Sequence, residues 1–212
     1  MKTLIAIPCG ETIHVDFVTS LSTLRIVGAA DQYFLKGSLV YDARNRLAQK
    51  AVEDGYDYIL WLDSDMVFEP DLMQKLMADI KGRDMVCGIF FTRKPPYKPC
   101  VYSRVAYTLD LESGRTIPEA DPFFDYPKDS IFEVEACGFG AVLMRTDLVK
   151  KIYLKKGLPF TPIIGFGEDL SFCLSARDAG AKIFCDSRVK VGHIGSVVIN
   201  EEKFMEVQNG TT

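Results

Sequence analysis

Asp63 and Asp65 bracket one small residue, Ser64, where the apolar run Tyr58-Ile59-Leu60-Trp61-Leu62 stops. Two carboxylates with so little between them suit a hard divalent cation and the phosphates it carries. The same triplet also forms an Asp-rich turn for purely local reasons. Arg44 falls on the apolar helical stripe of Val40, Ala43, Leu47, Ala48 and Ala51, whereas Arg46 lies opposite with Lys50 and Glu53. A buried guanidinium needs an anion. Beside a cleft that anion is a diphosphate or a nucleotide; in a plain core it is an internal carboxylate such as Asp42 or Asp57.

Glu168 and Asp169 open another helix, and Asp169 heads its inward face with Phe172, Cys173, Ala176 and Gly180. A carboxylate there takes a proton in a cleft or simply caps the helix. The helix terminus lowers its pKa, so work as a base requires burial that offsets this. His193 directly follows a short apolar strand and suits Mn²⁺ if it meets Asp65 in space; otherwise it is a satisfied structural histidine. Gly138-Phe139-Gly140 lets a backbone approach a substrate closely or marks a bend.

These residues need a scaffold, and the chain spells one out. Leu4–Pro8, Tyr56–Leu62 and Met85–Phe91 read as strands. His14–Gly28, Leu39–Gly55 and Pro70–Ile80 have helical spacing, the last opening with Pro70 and Asp71. Alternating strands and helices imply an α/β protein with a mostly parallel central sheet and flanking helices. The middle differs. Val101–Leu111 alternates like an exposed antiparallel strand and 112–115 is a turn, so a small antiparallel insertion is expected there. Phe132–Met144 is strand-like, Asp147–Leu154 a short helix, Leu158–Gly167 a loop and Asp169–Gly180 a helix ended by glycine. Short strands follow at Lys182–Cys185 and Val189–Val191. Residues 1–200 read as a single domain and 201–212 as a polar tail.

Composition narrows the classes. With 212 residues, 48% hydrophobic and 25% charged, the chain is an ordinary globular one. A formal net charge of −4 without basic blocks argues against nucleic acid as a partner. No apolar run approaches the roughly 20 residues of a membrane span, and the first apolar stretch is too short for a signal peptide. The six cysteines form no CxxC pair and sit in apolar segments, which suggests reduced thiols and a cytoplasmic protein. Two histidines and scattered cysteines offer no zinc site.

In order and spacing, the motifs resemble the nucleotide-sugar glycosyltransferases of the GT-A fold, nearest to the family 2-like group. The first strand ending in Pro8, Ala43-Arg44-Asn45-Arg46-Leu47, Asp63-Ser64-Asp65 as a DxD motif, Gly138-Phe139-Gly140, Gly167-Glu168-Asp169 and His193 carry the resemblance. The resemblance implies that Mn²⁺ or Mg²⁺ bridges Asp65 and His193 to the donor diphosphate, with Asp63 on the ribose or holding the metal through water. It places Pro8, Cys9, Arg44 and Ser64 around the donor. It makes Asp169 the base that deprotonates the acceptor hydroxyl, with inversion at the anomeric centre. Glu168, Gly165 and Phe166 position the acceptor, and Arg93, Lys94 and Tyr97 close over the phosphates or the acceptor. The donor is a UDP-sugar by default, with a GDP-sugar next. The acceptor is a glycan, a lipid-linked sugar, a protein or a small molecule. No QxxRW motif follows Asp169, which argues against a processive synthase.

Asp63-Ser64-Asp65-Met66-Val67 also fits the strand-end signature of haloacid-dehalogenase-like phosphatases, with Asp63 as nucleophile, although a strand and two helices precede it. A GT-A domain that binds nucleotide without turning it over is the third reading. A related nucleotidyltransferase would carry a basic, Gly-rich loop where this chain has Pro8-Cys9-Gly10-Glu11-Thr12.

Overall fold

The computed structural model describes residues 1–37, 39–111 and 114–195. The chain starts with β1 (Lys2–Cys9), α1 (Val15–Thr23), β2 (Ala29–Lys36), α2 (Val40–Glu53) and β3 (Tyr58–Leu62). Next come β4 (Met66–Phe68), α3 (Leu72–Asp79), β5 (Met85–Ile89), β6 (Val101–Asp110) and β7 (Arg115–Pro122). The remainder is β8 (Ile131–Val134), β9 (Ala136–Cys137), β10 (Ala141–Arg145), α4 (Thr146–Lys156), α5 (Glu168–Asp178) and β11 (Ile183–His193).

The main sheet has the order β2-β1-β3-β10-β5-β11-β4, with β8 paired to β11. β2, β1, β3, β5 and β11 run in one direction, and β10, β4 and β8 run against them. Side-chain alternation explains why the central strands are apolar throughout. Leu4 and Ala6 of β1 and Ile59 and Trp61 of β3 join a core with α2, α4 and α5. Ile5, Ile7, Leu60 and Leu62 join a second core with α1 and α3 on the other face. β7, β6 and β9 form a separate three-stranded antiparallel sheet. The expected mostly parallel sheet with an antiparallel insertion is therefore present. Among the described residues, no helix is long and apolar enough to cross a membrane.

Three local expectations change, and two strands, β2 and β4, have no counterpart among them. The helical reading of His14–Gly28 holds only over α1; Gly28 then takes φ +70° and β2 begins. β2 pairs in parallel along all eight residues of β1. It escapes notice because an edge strand need not be apolar: Asp31, Gln32, Tyr33 and Phe34 are exposed. The segment Phe132–Met144 is three short strands, β8, β9 and β10, serving two sheets. The two strands expected after Lys182 are one, β11, with an irregular register between Asp186 and Lys190. β4, three residues long, carries too little pattern to be read from sequence. Part of the 112–115 turn, residues 196–200 and the tail from 201 lie outside the described residues.

Candidate active site

Asp63 leaves the end of β3 with its N–H bonded to the Gly140 carbonyl, 3.2 Å away. Its carboxylate meets Arg44 of α2. Arg44 Nη2 donates to Asp63 Oδ1 at 2.9 Å and Oδ2 at 3.0 Å, and its Nε lies 3.6 Å from Glu168 Oε1. The anion that the buried arginine requires is thus Asp63, neither Asp42 nor Asp57. Beneath Arg44 is an aromatic floor. Its guanidinium lies 4.9 Å from the Phe139 ring centroid, and Phe139, Phe160, Phe172 and Trp61 pack on one another. That floor is what lets a charge sit on an apolar helix stripe. Asn45, buried beside Arg44, fixes this region by accepting the Phe160 N–H at 2.9 Å.

Asp65 and His193 meet because β4 pairs antiparallel with β11, placing His193 opposite Met66. His193 Nε2 is 3.4 Å from Asp65 Oδ2. Its Nδ1 lies 2.9 Å from the Phe91 carbonyl, which can only accept, so Nδ1 carries a proton. Asp65 is also bonded by Arg93 Nη1, at 3.0 Å, and its own carbonyl accepts the Ile194 N–H at 2.8 Å. A cleft of about 240 Å³ is lined by Pro8, Cys9, Gly10, Gly37, Val40, Ala43, Asp63, Ser64 and Asp65. A second, of about 460 Å³, is lined by Thr92, Arg93, Lys94, Cys100 and His193. The Asp65–His193 pair therefore joins the two clefts.

The charges perturb one another. Burial pushes the Asp63 carboxyl up to about 6 against the pull of Arg44, and Asp65, Glu168 and Asp169 add to the rise. Burial also raises Asp169, outweighing Arg44 and the Leu170 N–H that its Oδ1 accepts at 2.7 Å. The offset that a base at this helix terminus requires is thus present. Burial works against the Asp65 carboxylate too, but His193 and Arg93 outweigh it and hold its pKa low. His193 is raised: burial lowers it, and Asp65 and the Phe91 carbonyl more than compensate.

The residues fit a divalent cation. With Nδ1–H committed to a backbone carbonyl, His193 presents Nε2 to Asp65, and loss of the Nε2 proton would leave a lone pair there in the orientation of a metal-ligating imidazole. Among the described residues, no group of three or more His, Cys, Asp or Glu forms a complete metal cage. Two protein ligands suffice for a metal whose other positions are taken by phosphate oxygens and water.

The loop from Ile163 to Gly167, just ahead of Asp169, is held from two directions. Ser171 of α5 donates to the Gly167 carbonyl at 2.7 Å and accepts the Ile163 N–H at 3.1 Å. From the small sheet, Tyr107 donates to the Ile164 carbonyl at 2.7 Å and its ring meets Phe166 edge-on at 5.2 Å. Gly165 has φ +84°, and a Cβ there would stand 2.1 Å from Pro118 Cγ. Neither Tyr107 nor Pro118 carried any sign in the sequence of its role against this loop. Gly138 and Gly140 face Phe90 and Met66, whose atoms fill the space a Cβ would need. Lys94 lines the second cleft, and Tyr97, three residues on at φ +51°, is exposed.

Gly165→Ala is expected to shift this loop. Turnover should fall about tenfold to a hundredfold, with nucleoside diphosphate affinity unchanged in the same preparation. Pro118→Ala in the same chain should restore part of the loss, because the steric half of the problem is removed. Wild-type turnover in Gly165→Ala would show that the contact positions nothing.

A sequence model of glycosyl transferase family 2 matches residues 36–152, more than half of the chain. The chain belongs to glycosyl transferase family 2. This glycosyltransferase also resembles solved structures of the GT-A fold. The crystal structure of A197 from STIV is 21% identical with a TM-score of 0.62, covering 92% of this chain and 87% of that one. GalNAc-T7, crystallised with UDP, GalNAc and Mn²⁺, is 12% identical with a TM-score of 0.63. That match covers 92% of the glycosyltransferase described here but only 43% of GalNAc-T7. Among curated proteins nothing matches the chain.

Proposed function

We propose that this glycosyltransferase moves a sugar from a nucleotide-sugar donor to an acceptor hydroxyl with inversion, acting as one domain over residues 1–200. The observation that carries the reading is the meeting of Asp65 and His193 between two clefts, with Asp169, raised by burial, sharing the field of Arg44 and Asp63. UDP is favoured over GDP as the nucleotide; the UDP and Mn²⁺ held by GalNAc-T7 support that choice and a divalent cation. Bound between Asp65 and His193, Mn²⁺ or Mg²⁺ would neutralise charge on the leaving diphosphate. Pro8, Cys9 and Ala43 line the nucleoside cleft, and Ser64 leaves room at its floor. Arg44 acts from below by holding Asp63, which orients the ribose side of the donor.

Asp169, as carboxylate, takes the proton of the acceptor hydroxyl while that oxygen attacks the anomeric carbon from the face opposite the diphosphate. Glu168 and the Gly165–Phe166 backbone hold the acceptor, and Lys94 and Tyr97 line its entrance. The commitment of both Asp63 oxygens to Arg44 speaks against Asp63 as a phosphatase nucleophile. The acceptor stays within the glycan, lipid-linked, protein and small-molecule classes. Six unpaired cysteines favour a reducing compartment, and the cytoplasm is proposed.

The test is thermal stability with nucleoside diphosphates, with and without Mn²⁺. UDP with Mn²⁺ should raise the midpoint and either alone should do so less; at 100 Kd the gain is about 2.7 kcal/mol. Asp65→Ala should remove the manganese-dependent part. Unchanged manganese-dependent affinity in that variant would take Asp65 out of the site. A wild type that binds the donor and never hydrolyses or transfers it would make the chain a binding module.

A further inference from the structure

Asp65 Oδ2 is contacted by two cationic or proton-bearing groups, Arg93 Nη1 at 3.0 Å and His193 Nε2 at 3.4 Å. Two of the three partners are fixed. Asp65 is pinned through its carbonyl by Ile194 N–H. His193 is pinned by the Phe91 carbonyl and by the Phe90 ring, edge-on at 5.6 Å. Arg93 is the movable one. Its side chain is 54% exposed and reaches Asp65 through one nitrogen, although a guanidinium can bind a carboxylate with two. Its backbone is held. The segment from Thr92 to Lys98 is closed by the Thr92 N–H on the Lys98 carbonyl and by the Tyr97 N–H on the Lys94 carbonyl. A fixed base with a free arm can trade one anion for another nearby.

A divalent ion held by Asp65 and His193 would bring its charge to the carboxylate on which Arg93 Nη1 already sits, and the two positive charges would repel. Arg93 lines one cleft with His193, and Asp65 lines the other with Pro8 and Cys9, so a diphosphate held at the Asp65–His193 pair would be an anion open to the displaced arm. We propose that Arg93 and the divalent cation compete for the Asp65 carboxylate, and that the displaced guanidinium binds the donor diphosphate. Resting on the function proposed above, this makes metal and donor binding mutually reinforcing: the metal frees the arginine that the donor needs. The link is reciprocal, as any coupling between two bound ligands must be.

The experiment compares the wild type with Arg93→Ala, and with Lys98→Ala as a control for lost surface charge. Manganese binding is read from the electron paramagnetic resonance signal of free Mn²⁺, first without nucleotide and then with UDP. UDP affinity is read by calorimetry at saturating Mn²⁺. Without nucleotide, Arg93→Ala should bind Mn²⁺ up to about fivefold more tightly than the control, since a half-exposed ion pair has been removed. With Mn²⁺ saturating, it should bind UDP about tenfold more weakly, having lost a charged hydrogen bond. The opposite signs are the signature: lost folding weakens both, and a mere loss of surface charge moves Lys98→Ala in the same way. Manganese affinity equal to that of Lys98→Ala without nucleotide overturns the competition. Tighter Mn²⁺ with unchanged UDP affinity overturns the transfer to the diphosphate. A wild type that binds neither probe overturns the underlying function as well, and is recognised because all three proteins then behave alike.

Discussion

Asp169→Asn should lower turnover by about a hundredfold to ten-thousandfold while leaving manganese-dependent UDP affinity in place. Asparagine keeps the shape and the oxygen that accepts the Leu170 N–H, so the first turn of α5 stays capped. It loses only the capacity to hold a proton. The pH dependence separates the two roles. Burial raises the Asp169 pKa, so activity in the wild type should fall with acidity at a pH above the ordinary carboxylate range, and the Asn variant should lack that limb. Stability should move the other way. A carboxyl whose folded pKa is raised binds its proton more tightly in the folded chain, so its contribution is present at low pH and is lost as pH rises through that pKa. Above it, ionised Asp169 burdens the fold and the Asn variant should melt no lower than the wild type. Full turnover in Asp169→Asn would reduce the residue to a helix cap.

Arg44→Ala should be the most destabilising change near the site. Among the described residues it removes the cation paired with Asp63 and Glu168, and it leaves a hole above the Phe139 ring. Breaking a buried pair from one side costs about 3–5 kcal/mol, which for a chain of this size lowers the melting midpoint by about 10 °C. Arg44 holds the Asp63 pKa down against burial, so in its absence Asp63 titrates above its value of about 6. The stability that the pair contributes is present above that pKa and fades as pH falls through it. The deficit of the variant should accordingly narrow in acid. Arg44→Lys should rescue little, because one ammonium cannot reproduce a planar fork set between an aromatic face and two carboxylates. A small deficit independent of pH would mean that solvent already screens the pair.

Much of this fold can be read from spacing. The helical stripe of α2 and the apolar run of β3 follow from periodicity, because both are long and bury whole faces. β2 defeats the same reasoning, since an edge strand with one solvated face need not be apolar. The site divides along similar lines. Asp63, Asp65, Asp169 and His193 stand out by residue type, but their partners do not. That Arg44 binds Asp63 depends on how α2 lies across the end of β3. That His193 reaches Asp65 depends on a three-residue strand, β4, that no pattern announces. The Phe91 group that sets the His193 tautomer is a backbone carbonyl, and its identity as phenylalanine is irrelevant to that task. Tyr107 and Pro118 meet the Gly165 loop across more than 40 residues of chain, a contact that only three-dimensional packing creates.

That last contact bears on how such enzymes can be rebuilt. Because the ribbon of β6 and β7 dictates the path of the segment just ahead of Asp169, the two form one inherited cassette. Transplanting either alone into a relative should import a mismatch, and recipients should keep turnover only when both pieces travel together.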